Sequence, residues 1–266
     1  MSTPIIGVDI DDFRLGPKAG LARAAELQFR VVEMATVAGD VAAWNLSSSG
    51  RRHLARFVSG LGLRFASLVA DMPDLRLRDP GAIDERVERS LRVVELAADM
   101  NVPIVTTSVG PMTDLETCEP LPAVLEALSR IGEYADTRGC VLGIRPSFDS
   151  GDRLTAVLDA LNCPSVRVCL DPAELVMSGS NPIASFEKLA GRIALVHTRD
   201  ATAGTPQRSG HEVRLGTGEV DLVGVLAALD GAEYRGDYVL RRTDSQSPST
   251  DLTDARDVLA RLLPAG

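Results

Sequence analysis

The sequence predicts a single-domain (β/α)8 TIM barrel of the α/β class, on three observations. Eight short apolar or β-branched runs recur along the 266 residues: "PIIGVDI" (4–10), "FRVVEM" (29–34), "LRFASLV" (63–69), "VPIVTTS" (102–108), "CVLGI" (140–144), "VRVCL" (166–170), "IALVH" (193–197) and "DYVLR" (237–241). They are near-continuous in Val, Ile and Leu instead of alternating, as parallel strands covered on both faces are. Segments of helical period lie between them, and about 250 residues is the usual length of such a barrel. No Gly/Ser/Pro-rich linker divides the chain, so residues 1–266 read as one domain.

In chain order, the first run ends in Asp9 to Asp12 and the second in Glu33. The third leads to Ser67–Asp71 and the fourth to Thr106–Ser108. Between those two, "AIDERVERSLRVVELAADM" (82–100) puts Ile83, Val87, Leu91, Val94 and Ala98 on one stripe, with Asp84, Glu85, Glu88 and Arg92 largely off it. In "EPLPAVLEALSRIGEYADTRG" (119–139), Pro120 and Pro122 suit a first helical turn and Gly139 a helix end. The fifth run opens into Arg145, the sixth into Asp171, the seventh into His197 and the eighth into Arg241 and Arg242, before a last helix near Asp254 to Leu263. Chemistry in this architecture belongs where strands end and loops begin.

Composition excludes several classes. Hydrophobic residues make up 45% and charged residues 24%, as in an ordinary globular protein, and no apolar run approaches the length of a membrane span. Met1-Ser2-Thr3-Pro4 has neither a basic n-region nor a cleavage pattern, so a cytoplasmic location is expected. Cys118, Cys140, Cys163 and Cys169 have no CxxC spacing and read as reduced thiols. A net charge of -9 without a basic run argues against nucleic acid.

The motifs "GCVLGIRP" (139–146), "VRVCLDPAELVMSGSNP" (166–182), "RIALVHTRDA" (192–201), "LGTGEVDLVGVLAAL" (215–229) and "YRGDYVLRR" (234–242) together resemble the xylose isomerase-like TIM barrels, sugar and sugar-phosphate isomerases and epimerases. The resemblance implies a divalent metal, such as Mn or Zn, held by a glutamate ending the fifth strand, an aspartate the sixth, a histidine the seventh and a glutamate the eighth. The two glutamates also move protons. Here Asp171 and His197 stand at the aspartate and histidine positions, but Arg145 and Arg241 occupy the glutamate positions. Glu174 replaces a further histidine three residues after the aspartate. A guanidinium carries five N–H donors and no acceptor, so the metal site is expected to be degenerate and no cofactor is expected. The arginines would roughly supply the charge of the metal.

The expected catalytic set is therefore Asp171, Glu174, His197, Arg145 and Arg241, with Glu33, Arg199, Asp200 and Arg214 contacting substrate. One reading pairs Arg145 and Arg241 with Asp171 and Glu174; the other gives their forks to a substrate carboxylate, phosphate or enediolate. Arg242 is an alternative inward residue to Arg241. The 198–218 stretch reads as a lid or binding loop, or else a surface hairpin. His211 reads as solvated and Trp44 as a loop anchor. Two functions compete: proton transfer next to a carbonyl of a small carbohydrate or sugar acid, and a non-catalytic or silent barrel that binds an anionic sugar or keto acid. A homo-oligomer is compatible with either, and DNA repair chemistry would need more metal ligands than the chain offers.

Overall fold

A computed structural model of the chain describes residues 5–263 apart from 76, 78, 80, 115, 146–148, 206 and 207. Met1–Pro4, Pro146 and the tip of the 198–218 loop thus lie outside the described residues. Parallel strands β1 (Ile6–Asp9), β2 (Val31–Ala35), β3 (Arg64–Val69), β4 (Ile104–Ser108), β5 (Val141–Arg145), β6 (Val166–Leu170) and β7 (Ile193–Thr198) pair in sequence. The last barrel strand, β10 (Tyr238–Leu240), pairs with both β7 and β1 and closes the barrel. All eight runs picked out from the sequence become barrel strands. Between β7 and β10, β8 (Asp200–Thr202) and β9 (His211–Val213) form an antiparallel hairpin in the long loop.

Helices α1 (Pro17–Glu26), α2 (Ser48–Gly60), α3 (Ile83–Asp99), α4 (Pro122–Thr137) and α5 (Gly151–Leu161) follow the first five strands. Two helices, α6 (Pro172–Met177) and α7 (Pro182–Leu189), share the next connection, and α8 (Leu222–Gly231) and α9 (Pro248–Leu262) complete the ring. The last helix starts six residues before the expected Asp254, because Pro248 supplies a preset φ at its first turn. The buried face of α3 is also rotated from the expected stripe, and comprises Arg86, Val87, Ser90, Val93, Val94, Leu96 and Ala97.

Strand side chains alternate between two environments. One set, including Val32, Met34, Leu68, Ile144 and Val196, packs under the helices. The other faces the barrel axis, where Val31, Ala66, Cys169, Leu195 and Val239 form a separate small apolar cluster with Ile104 against it. A Cβ on Gly143 would meet Cys169, Thr106 and Ile104 at 3.4–3.5 Å, ordinary van der Waals contact, so this layer is close-packed around the glycine. Two residues further along the strands, the inward positions change character to Asp9, Glu33, Thr106, Arg145, Asp171, His197 and Arg241. An apolar plug thus seals the barrel below a charged mouth.

Candidate active site

The lowest part of the mouth is a closed polar cluster. Glu33, whose side chain is 0% exposed, accepts hydrogen bonds at Oε1 from the hydroxyls of Ser67 (2.6 Å) and Thr106 (2.7 Å). A register shift between Val32 and Glu33 sets Glu33 opposite Ser67. Its Oε2 lies 2.6 Å from Nε2 of His197, which is equally buried. Burial alone would raise the Glu33 carboxyl, but the imidazole, the Arg241 cation and the Ser67 hydroxyl hold it below the usual carboxylate range. Burial lowers His197, reinforced by Arg241 and Arg145 against the pull of Glu33, so the ring is neutral at neutral pH and donates Nε2–H. The Sγ of Cys169 lies 3.6 Å from its Nδ1 and 3.7 Å from its Nε2, and burial and Glu33 keep that thiol protonated.

Above this floor, three arginines meet carboxylates at the rim. Asp171 caps α6, with Oδ1 accepting from the N–H groups of Ala173 (3.0 Å) and Glu174 (3.2 Å), while Oδ2 accepts from Nε of Arg199 at 2.7 Å. Burial would raise Asp171, but Arg199 brings it below its ordinary value. The same guanidinium donates to Oε1 of Glu174 at 3.0 Å and lies 3.8 Å from Glu212. Glu174 is the open member, its side chain 27% exposed. Burial and the charge of Asp171 push its carboxyl up to about 7, against Arg199, Arg145 and Arg241.

Arg145 and Arg241 are not the partners of Asp171 and Glu174 that one reading of the sequence paired them with; Arg199 takes that place. Arg145 is ion-paired to Asp71, which also accepts from the Ser108 N–H at 2.6 Å. Arg241 Nε lies 3.1 Å from Asp9 Oδ2 but out of line, so among the described residues this buried N–H has no hydrogen-bond partner. Arg241, not Arg242, faces inward: Arg242 donates to Asp251 of α9 at 3.1 Å and approaches Glu212 at 3.4 Å. Burial, with Asp12, Glu33 and Asp11 nearby, pushes Asp9 well up despite Arg241.

The structure therefore brings Asp171, Glu174, His197, Arg145, Arg241 and Arg199 into one mouth. It withdraws three of the four residues expected at substrate. Glu33 is fully enclosed on the floor. Asp200 has its two oxygens spent on the N–H groups of Ala201, Val220, Gly216 and Gly218 at 2.8–3.1 Å, so it organises the loop. Arg214 is 61% exposed and reaches Asp251. Half-buried His211 meets Thr202 Oγ1 at 2.9 Å across the hairpin, and Arg89 stacks over Trp44 at 4.9 Å. Sequence reasoning missed Asp9 and Asp71 as ion-pair partners, although both sit at flagged strand ends. It also missed Arg86, which is 2% exposed on α3 and binds the carbonyls of Met72 (2.9 Å) and Ser108 (3.1 Å). An arginine three residues after Ile83 and four before Ser90 on a buried helix face was the available signal.

The donor set does not fit the divalent metal that the resemblance implies. Arg145 and Arg241 offer no lone pair, Asp171 is taken up by its cap and Arg199, and His197 directs Nε2 at Glu33. Among the described residues, no group of three or more His, Cys, Asp or Glu is placed to hold a metal ion. Nor, among them, is any helix long and apolar enough to cross a membrane.

A family model described as xylose isomerase-like TIM barrel matches residues 21–262. Inosose dehydratase of Clostridium beijerinckii is 27% identical over 128 residues, 42% of this chain and 43% of that protein, so the match spans less than half of the relative. Among solved structures, a xylose isomerase domain protein from Planctomyces limnophilus superposes with a TM-score of 0.84 at 18% identity, covering 98% of both chains. A D-tagatose 3-epimerase-like protein superposes at 0.80 with 17% identity, covering 97% of this chain and 96% of its own.

Proposed function

Because the chain belongs to the xylose isomerase-like TIM barrel family, we propose that it is a sugar or sugar-phosphate isomerase/epimerase-like enzyme that moves a proton next to a carbonyl without a divalent metal. The observation that carries this is Glu174: a carboxyl at the open rim, one oxygen on Arg199, near neutral in its titration and within the field of Arg145 and Arg241. Abstraction of a carbon-bound proton needs a base that is ionised near working pH, and a pKa about 7 meets that condition. The charge that develops on the carbonyl oxygen needs preorganised positive donors. Arg241, beside Asp9 at the end of the last barrel strand, supplies them, with Arg145 adding positive charge to the mouth.

Among the described residues, Asp171 and Glu33 have their oxygens committed and Asp71 is paired with Arg145, which leaves Glu174 as the base of this proposal, on one face of the substrate. A single base that takes and returns the proton on one face favours aldose–ketose isomerisation over inversion. The rival reading, a non-catalytic barrel binding a small anionic sugar or keto acid, draws on the same guanidiniums and predicts binding without proton exchange. Cytoplasmic location, a place in carbohydrate metabolism and a homo-oligomeric state belong to this proposal as expectations.

The test is exchange of carbon-bound hydrogen in D2O, followed by NMR, on EDTA-treated protein offered pentoses, hexoses, their ketoses and monophosphates. Deuterium entry that survives EDTA and disappears in Glu174→Gln supports the proposal. Exchange that appears only after manganese, cobalt or magnesium is added overturns its metal-free form.

A further inference from the structure

The mouth is electrically lopsided. On the β6–β7 side, Arg199 faces Asp171, Glu174 and Glu212, so carboxylates outnumber the guanidinium. On the β3–β5 side the balance reverses. Arg145 at the end of β5 is 5% exposed and Arg86 from α3 is 2% exposed; among the described residues the carboxylate acting on both is Asp71, and Glu174 acts on Arg145 from across the mouth. Burial, with Arg145 nearby, lowers Arg86 to about 10 against the pull of Asp71, so it stays charged at neutral pH. Among the described residues, Nε of Arg145 and Nε of Arg86 are buried N–H groups without a hydrogen-bond partner. Arg86 spends its remaining donors on neutral oxygens, the carbonyls of Met72 and Ser108 and the hydroxyl of Thr107. The anion acting on both buried cations, Asp71, is the part solvent reaches, with its side chain 30% exposed.

A buried charge left unbalanced is costly unless a counter-ion joins it. We infer that the ligand of this barrel carries a carboxylate, held on the Arg145 fork beside or in place of Asp71, with its carbonyl end directed across the mouth toward Arg241 and Glu174. The inference rests on the proposed proton transfer for its orientation but not for its binding site. The planar fork of Arg145 matches the two oxygens of a carboxylate, the group it already holds in Asp71. Arg86 does not touch the ligand; it is a positioning residue that ties the loop after β3 to the end of β4 and adds charge behind Arg145. The substrate class is then a sugar acid or hydroxy-keto acid, with Arg145 on the carboxylate and Arg241 free for the carbonyl oxygen.

The experiment is calorimetric titration of the metal-free protein with matched pairs: D-gluconate against D-glucitol, and D-galacturonate against D-galactose. At least one acid is expected to bind about tenfold more tightly than its neutral partner, the worth of one charge-assisted contact. Asp71→Asn keeps the acceptor for Ser108 N–H but removes the competing charge, and is expected to tighten acid binding several-fold with neutral sugars unchanged. Arg145→Met is expected to erase the preference, with its melting curve checked for folding. Acids binding no better than neutral sugars, no acid binding up to about 10 mM, or Asp71→Asn weakening acid binding would each overturn the inference. Acid binding without deuterium exchange would defeat the proposed reaction and leave this site intact; exchange of neutral sugars without acid binding would do the reverse.

Discussion

Glu33 and Glu174 occupy the same mouth yet are pushed in opposite directions, and the difference lies in how completely their neighbours use them. On the floor, Glu33 receives two hydroxyls and an imidazole N–H, so both oxygens are committed and its ionised form is locked in. At the rim, Glu174 receives one guanidinium that it shares with Asp171, and the negative neighbour together with burial raises it to about 7. A saturated carboxylate is structure, whereas an undersaturated one at neutrality can exchange a proton. The barrel thus separates support from chemistry by depth, within a few residues of the same strand ends.

The largest effect tests the floor. Glu33→Ala strands the neighbouring polar groups in a dry site and is expected to cost about 3–5 kcal/mol, read from urea unfolding. Glu174→Gln is expected to leave stability unchanged or to raise it at neutral pH, because it removes a carboxyl whose ionisation the fold disfavours, while slowing proton exchange about 10²- to 10⁴-fold. Equal stability losses in the two variants would mean that the rim is as structural as the floor.

The two carboxylates also differ in pH dependence. Glu174 must be ionised to act as base, so the exchange rate should rise with pH and level off above about 7. Stability follows the opposite sign. A carboxyl raised in the folded state binds its proton more tightly there than in the unfolded chain, so its contribution is full below the unfolded value and is lost as pH climbs to about 7. Unfolding at a series of pH values should show that decline in the parent protein, and Glu174→Gln should remove its share.

A third variant separates rim from floor through the loop. Gly218→Ala would place a Cβ 2.2 Å from Asp200 Oδ1 and 2.6 Å from the Ala201 carbonyl. Something must move, at a cost of about 1–3 kcal/mol. The displacement falls on the hairpin that carries Glu212, which accepts from the Thr243 N–H at 3.1 Å and faces Arg199. Amide exchange should accelerate in the hairpin while the amides of β2 and β7 keep their protection; uniform acceleration would show that the two regions are one cooperative unit.

Sequence made the fold legible because a parallel barrel repeats one signal eight times, a buried run followed by an amphipathic helix. The inward register was legible too, since it follows from period two: Glu33, Arg145, His197 and Arg241 stand two residues beyond Val31, Gly143, Leu195 and Val239. Partner choice was not. Opposite charges at neighbouring strand ends admit several pairings, and the short reach from β7 across to α6 decided for Arg199 with Asp171 over Arg145 or Arg241. Asp200 was misjudged for a related reason: an aspartate in a loop looks the same whether it awaits a ligand or gathers four backbone N–H groups. Arg86 was hidden by the rotation of α3, because one charged residue on an otherwise apolar face does not disturb a helical period.

The smallest expected change isolates what sets the rim apart. Arg199→Lys keeps the positive charge but loses the planar fork that spans Asp171 at 2.7 Å and Glu174 at 3.0 Å. A single ammonium nitrogen between the two carboxylates should favour the deeper Asp171, weakening the pull that lowers Glu174. The acid limb of the exchange rate should then move upward by less than about one pH unit, with the unfolding transition little changed and the floor undisturbed. A downward move would mean that Arg199 does not restrain the ionisation of Glu174, and that the openness of the rim comes from depth alone.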